Sequence, residues 1–134
     1  MSELEEVGHL ESKDVDRTSG KINTENLRVG GYSGNKPILC MVYGSYCGFC
    51  KKAAPAFKSV HDSHKQRKVF LCAIQTDSTD EGGKDLMTYF PNVLRSRGIK
   101  FDGVPCYLLY KNGSWSEYKG GRDAESLQSF IDSL

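Results

Sequence analysis

The chain has 134 residues, a formal net charge of +1, 38% hydrophobic residues, seven Tyr and six Phe. That length and apolar content suit one compact domain with its own core, needing no structural disulfides. The near-neutral charge argues against electrostatic capture of nucleic acid or a membrane surface, and no apolar run approaches the ~20 residues that cross a bilayer.

Residues 1–30 are polar, charged and weakly periodic. They are expected to form an extension ordered in part at most, followed by one domain over 31–134. A short strand at 7–10 and a helical turn at 23–27 compete there with a solvated tail. The opening MSELEEVGHL has neither the basic nor the apolar stretch of a secretory signal, so a cytoplasmic, reducing location is expected. In that setting a Cys pair is more often catalytic or metal-binding than structural. The five cysteines, odd in number and irregularly spaced, do not read as a disulfide framework.

Residues 33–37, Ser-Gly-Asn-Lys-Pro, read as a loop. Residues 38–43 (ILCMVY) and 69–74 (VFLCAI) are unbroken apolar runs, the pattern of strands covered on both faces. Between them, 47–65 sets positions 50, 54, 57, 61 and 64 on one helical seam. Strand, helix, strand makes a βαβ unit, so the two strands should run parallel. Residues 77–83 read as a polar loop. Residues 84–98 read as a helix with Leu86, Phe90, Val93 and Leu94 inward, split or kinked at Pro91. Residues 106–110 and 115–119 flank Asn112-Gly113 as a hairpin. Its aromatics Tyr107, Tyr110, Trp115 and Tyr118 should pack within it rather than stack on bases. The last helix should be N-capped by Asp123, with Leu127, Phe130, Ile131 and Leu134 on its apolar stripe.

Cys47 and Cys50 fall where the first strand hands over to its helix. Cysteines at i and i+3 stand one turn apart, close enough to bond with little backbone movement. Free N–H groups and the helix dipole favour an anion at that end, which makes Cys47 the expected attacking thiolate. Gly48 leaves it open to a partner chain, and Lys51 and Lys52 add positive charge. Cys50, one turn further in, would resolve the mixed disulfide. Further along, Gly103-Val104-Pro105 precedes a strand, and a proline there marks an edge or a special turn because it has no N–H for the ladder.

Tyr46-Cys47-Gly48-Phe49-Cys50-Lys51, Pro55, Val104-Pro105, Asn112-Gly113 and Gly120-Gly121 occur in the order and roughly the spacing of thioredoxins. Residues 47–57 (CGFCKKAAPAF) and 118–122 (YKGGR) resemble the catalytic domains of protein disulfide isomerases still more closely. The resemblance covers about residues 36–134. It implies an α/β thioredoxin fold, a central mixed sheet flanked by helices, with Pro105 in a cis peptide beside the cysteine pair. It implies a groove of Tyr46, Gly48, Phe49, Val104, Pro105 and Gly121, in which the Val104 backbone pairs with a substrate strand. It also implies a protein disulfide oxidoreductase; the reducing setting favours a reductase, expected to be a monomer, over the oxidase or isomerase that the isomerase-like motifs suit. Such an enzyme needs neither bound cofactor nor metal, and a thioredoxin reductase or glutathione would supply its electrons. Gly120-Gly121 is similar, besides, to the glutathione-contacting glycines of glutaredoxins.

Four features depart from those families. Met41 stands where they place a buried Asp or Glu that carries the resolving thiol's proton, so that proton needs another route; Ala73 likewise replaces a partner lysine. Tyr46 replaces the usual Trp. Gly-Phe replaces Gly-Pro or Gly-His between the cysteines. The stretch from 77 to 105 is longer than in thioredoxins and forms a helical insertion beside the groove. Cys40 and Cys72 are expected to be buried, inert thiols, and Cys106 either a packed thiol or a regulatory one near the site. A zinc site is disfavoured, because His61 lies about 16 Å along the helix from Cys50, and His64 further still. A non-catalytic module that holds partners in the groove is the alternative function.

Overall fold

A computed structural model describes residues 1–64 and 68–134 of the chain. β1 (Ile38–Tyr43), β2 (Phe70–Gln75), β3 (Cys106–Lys111) and β4 (Ser114–Tyr118) form one sheet in the order β2-β1-β3-β4. β1 and β2 run parallel, and the other two pairings are antiparallel. β1 is central and wholly buried. Because side chains alternate along a strand, Ile38, Cys40 and Val42 join one core, with Leu86, Phe90 and Leu94. Leu39, Met41 and Tyr43 join the other, with Ala54, Phe57, Leu127 and Ile131. This is the mixed sheet between helices that the resemblance to thioredoxins implies, and it contains the parallel βαβ unit expected from the two apolar runs.

Among the described residues four α-helices accompany the sheet: α1 (Ser2–Glu5), α2 (Gly48–His64), α3 (Glu81–Ser96) and α4 (Ala124–Asp132). The predicted end of α2 at Lys65 lies outside the described residues, and so does the His64 side chain. α3 begins earlier than expected, at Glu81, so part of the predicted loop is its first turn. Gly83 makes this close start feasible, since a Cβ there would stand 2.5 Å from Ser78 Oγ. Pro91 does not split α3. The buried side chains of Phe90, Val93 and Leu94 on both sides of it hold the helix together against a local penalty of about 3 kcal/mol. Asn112 (φ 54°) and Gly113 (φ 79°) both take left-handed backbone, as the tight hairpin turn between twisted strands requires. Asp123 caps α4, its carboxylate accepting the Ser126 N–H at 3.0 Å.

Residues 1–30 are packed onto this frame, more fully ordered than the extension ordered in part at most that was expected. Leu4, Val7, Leu10, Val15, Ile22 and Leu27 are all buried. The predicted strand at 7–10 is reduced to one parallel bridge, His9 to Ala73, with Leu10 N–H donating to Ala73 O (3.0 Å) and Ala73 N–H to Gly8 O (2.9 Å). It thereby covers the free edge of β2. A helical segment at Thr24–Gly30, of the tighter 3-10 type, stands where a turn was expected. Side chains of the main body fasten the segment by its backbone carbonyls. Tyr89 Oη donates to Val15 O (2.6 Å), Trp115 Nε1 to Gly20 O (2.8 Å) and an Arg97 guanidinium N–H to Ser19 O (2.7 Å). Among the described residues no helix is long and apolar enough to cross a membrane.

Candidate active site

The chain leaves β1 through Gly44-Ser45-Tyr46 and turns at once into α2. Ser45 fixes that turn by donating its backbone N–H to Asp77 (3.0 Å) and its hydroxyl to the same carboxylate. These bonds, the hydroxyl's first, hold Asp77 below the usual carboxylate range. Cys47 stands just ahead of the first helical residue, in the N-cap place: its carbonyl accepts the Lys51 N–H at 3.1 Å. Its sulfur accepts the Cys50 N–H, also at 3.1 Å, as a Ser or Asp oxygen does in an ordinary cap. A thiolate at this point would be held by an otherwise unpaired helix donor.

The two thiols differ in access. Cys47 is 8% exposed and Cys50 0%. Cys47 is therefore more covered than the sequence implied, since the chain at Val104 closes over it: the Cys47 thiol points to the Val104 carbonyl at 3.6 Å. The Val104–Pro105 peptide is cis, with Pro105 buried. Around this narrow opening Tyr46 (71%) and Phe49 (67%) are exposed large hydrophobic side chains, and Gly48 is open, with no atom within 4 Å of a Cβ placed there. The sequence-derived groove residues Tyr46, Gly48, Phe49, Val104 and Pro105 thus gather at the cysteines. Gly121 is exposed in the loop before α4, where its carbonyl accepts the Tyr118 hydroxyl at 2.7 Å.

Burial, followed by the hydrogen bond that the Cys50 thiol gives to Cys47, pushes the Cys50 thiol up to about 12; a Gly44 backbone hydrogen bond and the charge of Arg122 work the other way. Burial also pushes the Cys106 thiol, on the first residue of β3, up to about 12. Met41, wholly buried, lies in register with Ala73 on β2 and Tyr107 on β3, so neither a carboxylate nor a lysine stands beneath the pair on these strands. The polar side chain opposite Met41 is Tyr107, which the sequence offers only as one of the hairpin's packing aromatics. Tyr107 is 2% exposed, its hydroxyl has no hydrogen-bond partner among the described residues, and burial raises it to about 12. Arg122, whose charge acts on Cys50, Cys106 and Tyr107 alike, was read in the sequence only as part of a motif.

The other singled-out residues lie elsewhere. Cys40 and Cys72 are side by side on β1 and β2, with sulfurs 3.0 Å apart and almost no exposure, and burial holds the Cys40 thiol well above its ordinary value. His61 Nδ1 is 3.0 Å from Asp62. Among the described residues no three His, Cys, Asp or Glu side chains are grouped to hold a metal ion.

The thioredoxin family model matches residues 19–133. Curated relatives include the protein disulfide-isomerase tigA of Aspergillus niger, 34% identical over 99 residues that make up 72% of this chain and 24% of the relative. The protein disulfide-isomerase of Saccharomyces cerevisiae is 28% identical over 99 residues, 72% of this chain and 16% of its own length. The chain therefore spans no more than a quarter of either. Among solved structures, oxidized mitochondrial thioredoxin 3 from Saccharomyces cerevisiae superposes with a TM-score of 0.59 at 16% identity, covering 98% of this chain and 99% of that one. The zinc-bound form of human ERp44 gives 0.64 at 20% identity, over 96% of this chain and 31% of that one; both likenesses concern the fold. The chain belongs to the thioredoxin family, and its sequence relatives are of the protein disulfide isomerase type.

Proposed function

We propose that this thioredoxin-family chain is a thiol–disulfide oxidoreductase that exchanges disulfides with protein substrates through Cys47 and Cys50. The observation that carries the reading is the pair of sulfurs at the start of α2. The outer one accepts a helix N–H at 3.1 Å and the inner one is fully covered. The Cys47 thiolate attacks one sulfur of a substrate disulfide. That S–S bond breaks, and the departing substrate sulfur takes a proton. Cys50 then loses its proton, attacks Cys47 Sγ and expels the second substrate sulfur, so two electrons pass to the substrate and the Cys47–Cys50 disulfide remains. The exposed Tyr46 and Phe49 offer apolar contact to an unfolded or extended segment, and the backbone at Val104 offers it strand-like pairing. In a reducing, cytoplasmic setting the chain works as a reductase, with a thioredoxin reductase or glutathione returning the electrons.

Reduction of insulin with dithiothreitol as electron source tests the activity: the native chain should outpace a Cys47→Ser variant, and equal rates would sink the proposal. The direction is read from the reduction potential, since a value near about −270 mV suits a reductant and one near about −180 mV an isomerase or oxidase. One pair of observations favours a second reading, a module that holds partners without turnover: Met41 supplies no proton acceptor, and Cys47 is only 8% exposed. That reading requires partner binding to be unchanged when Cys47 and Cys50 are both replaced by Ser.

A further inference from the structure

We propose that the Tyr107 hydroxyl is the hydrogen-bond donor that serves Cys50 as it ionises, in the place where Met41 leaves the site without a carboxylate. The inference deepens the exchange reading above and rests on it.

Three observations place the group. Tyr107 and Met41 are directly paired across β3 and β1, and in an antiparallel pair opposed side chains leave the sheet on the same face. That face carries the core shared by Met41, Tyr107, Cys47 and Cys50. The Tyr107 ring is wedged between Phe57 of α2 (centroids 6.1 Å apart) and Tyr118 of β4 (6.0 Å), which fixes its orientation against α2, the helix whose first turn holds Cys50. Its hydroxyl is buried with no hydrogen-bond partner among the described residues. Phe would keep both ring contacts without stranding a buried oxygen, an arrangement that native interiors avoid. A buried donor without a partner in the reduced protein is therefore one held for a partner that forms during the reaction. The electrostatics agree: negative charge on Cys50 raises the phenol, which keeps it protonated, and Arg122 acts favourably on the Cys50 thiolate.

The chemistry differs from that of a carboxylate. Raised as it is by burial, the phenol keeps its proton throughout and gives a hydrogen bond rather than taking the Cys50 proton. In the resolving step the Cys50 proton passes to solvent and the thiolate attacks Cys47 Sγ. The bond from Cys47 to the substrate sulfur then breaks, and that sulfur leaves with the electron pair and picks up a proton. Tyr107 stabilises the charge on Cys50 before it is spent in the new S–S bond.

The test follows both thiols through their reaction with dithiobis(nitrobenzoate). Attack by Cys47 releases one coloured thiolate in a concentration-dependent phase, and resolution by Cys50 releases the second in a unimolecular phase. Tyr107→Phe should leave the first phase unchanged and slow the second about tenfold, the scale of one hydrogen bond to a charged group. Its melting temperature should not fall. In the reduced protein, the Cys50 Cβ resonance of Tyr107→Phe should show less thiolate at a given alkaline pH than the native chain. An unchanged second phase, equal slowing of both phases, or an unmoved Cys50 titration would overturn the assignment. Absence of both phases in the native chain would instead overturn the exchange reading, while the Cys50 titration would still judge Tyr107 by itself.

Discussion

Attack by Cys50 should be the step that pH controls, and its profile can be worked out from burial alone. With the thiol pushed up to about 12, about one chain in 10⁵ carries that thiolate at pH 7, against about one in 30 for a free thiol of pKa near 8.5. The more basic thiolate is also the better nucleophile. A Brønsted coefficient of about 0.4–0.5 returns nearly half of the deficit on a logarithmic scale, leaving resolution about 60–130-fold slower than for an unburied thiol. Once Cys47 is tied to a substrate its hydrogen bond to Cys50 is gone, and burial, the larger cause, remains; the deficit is therefore an upper bound. The rate should still rise tenfold per pH unit from neutrality upward. A stopped-flow record of the unimolecular phase against pH measures this. A plateau at or below about pH 9 would mean that Cys50 ionises as an ordinary thiol does, and the argument from its burial would fail.

The packed N-terminal segment makes its own demand: Leu4, fully buried, should cost about 2–5 kcal/mol of unfolding free energy when changed to Ala, and a loss under about 0.5 kcal/mol, the range of a surface site, would mean the segment is solvated. His9 Nδ1–H donates to Val7 O (2.9 Å), and Nε2 lies 2.6 Å from the Tyr43 hydroxyl in a largely covered position. Burial lowers its pKa below 6.5. Its contribution is thus complete above pH 6.5 and is lost as pH falls beneath that value, where the unfolded chain binds the extra proton. Urea unfolding should show this slope in the native chain and a flatter one in His9→Gln; identical slopes would contradict it. At the alkaline end the sign reverses, because Cys50 and Cys106 keep their protons to about 12 when folded but lose them near 8.5 when unfolded. Stability should accordingly decline as pH climbs from about 9, and a rise would refute it. In alkylation by iodoacetamide Cys47 should react first and Cys106 slowly, while Cys40, Cys50 and Cys72, at 0–1% exposure, should label only on unfolding. Early labelling of Cys40 or Cys72 would contradict the packing of β1 on β2.

What could be read from the sequence was whatever a short stretch of chain decides for itself. The unbroken runs of β1 and β2, the Asn112-Gly113 turn, the Asp123 cap and the Cys47–Cys50 spacing each carry their cause within a few residues. The N-terminal segment was misread because Leu4, Val7, Leu10, Val15, Ile22 and Leu27 follow no helical or strand period; they are buried by single bridges and short turns against a sheet that comes later in the chain. Pro91 was expected to split or kink α3 on local grounds, and the buried residues around it keep the helix from splitting. The covering of Cys47 depends on Val104, 57 positions away. Tyr107 gains its meaning only from the β1–β3 register that sets it opposite Met41; before that register is known it is one aromatic of a hairpin among others.

The central claim is that Cys47 is the sulfur that meets the substrate. A Cys50→Ser chain incubated with oxidised insulin and mapped by peptide mass spectrometry tests it most directly. The account predicts a persistent mixed disulfide at Cys47 that dithiothreitol releases and that is absent from a Cys47→Ser chain. No adduct, or an adduct on Cys106 in its stead, would contradict it.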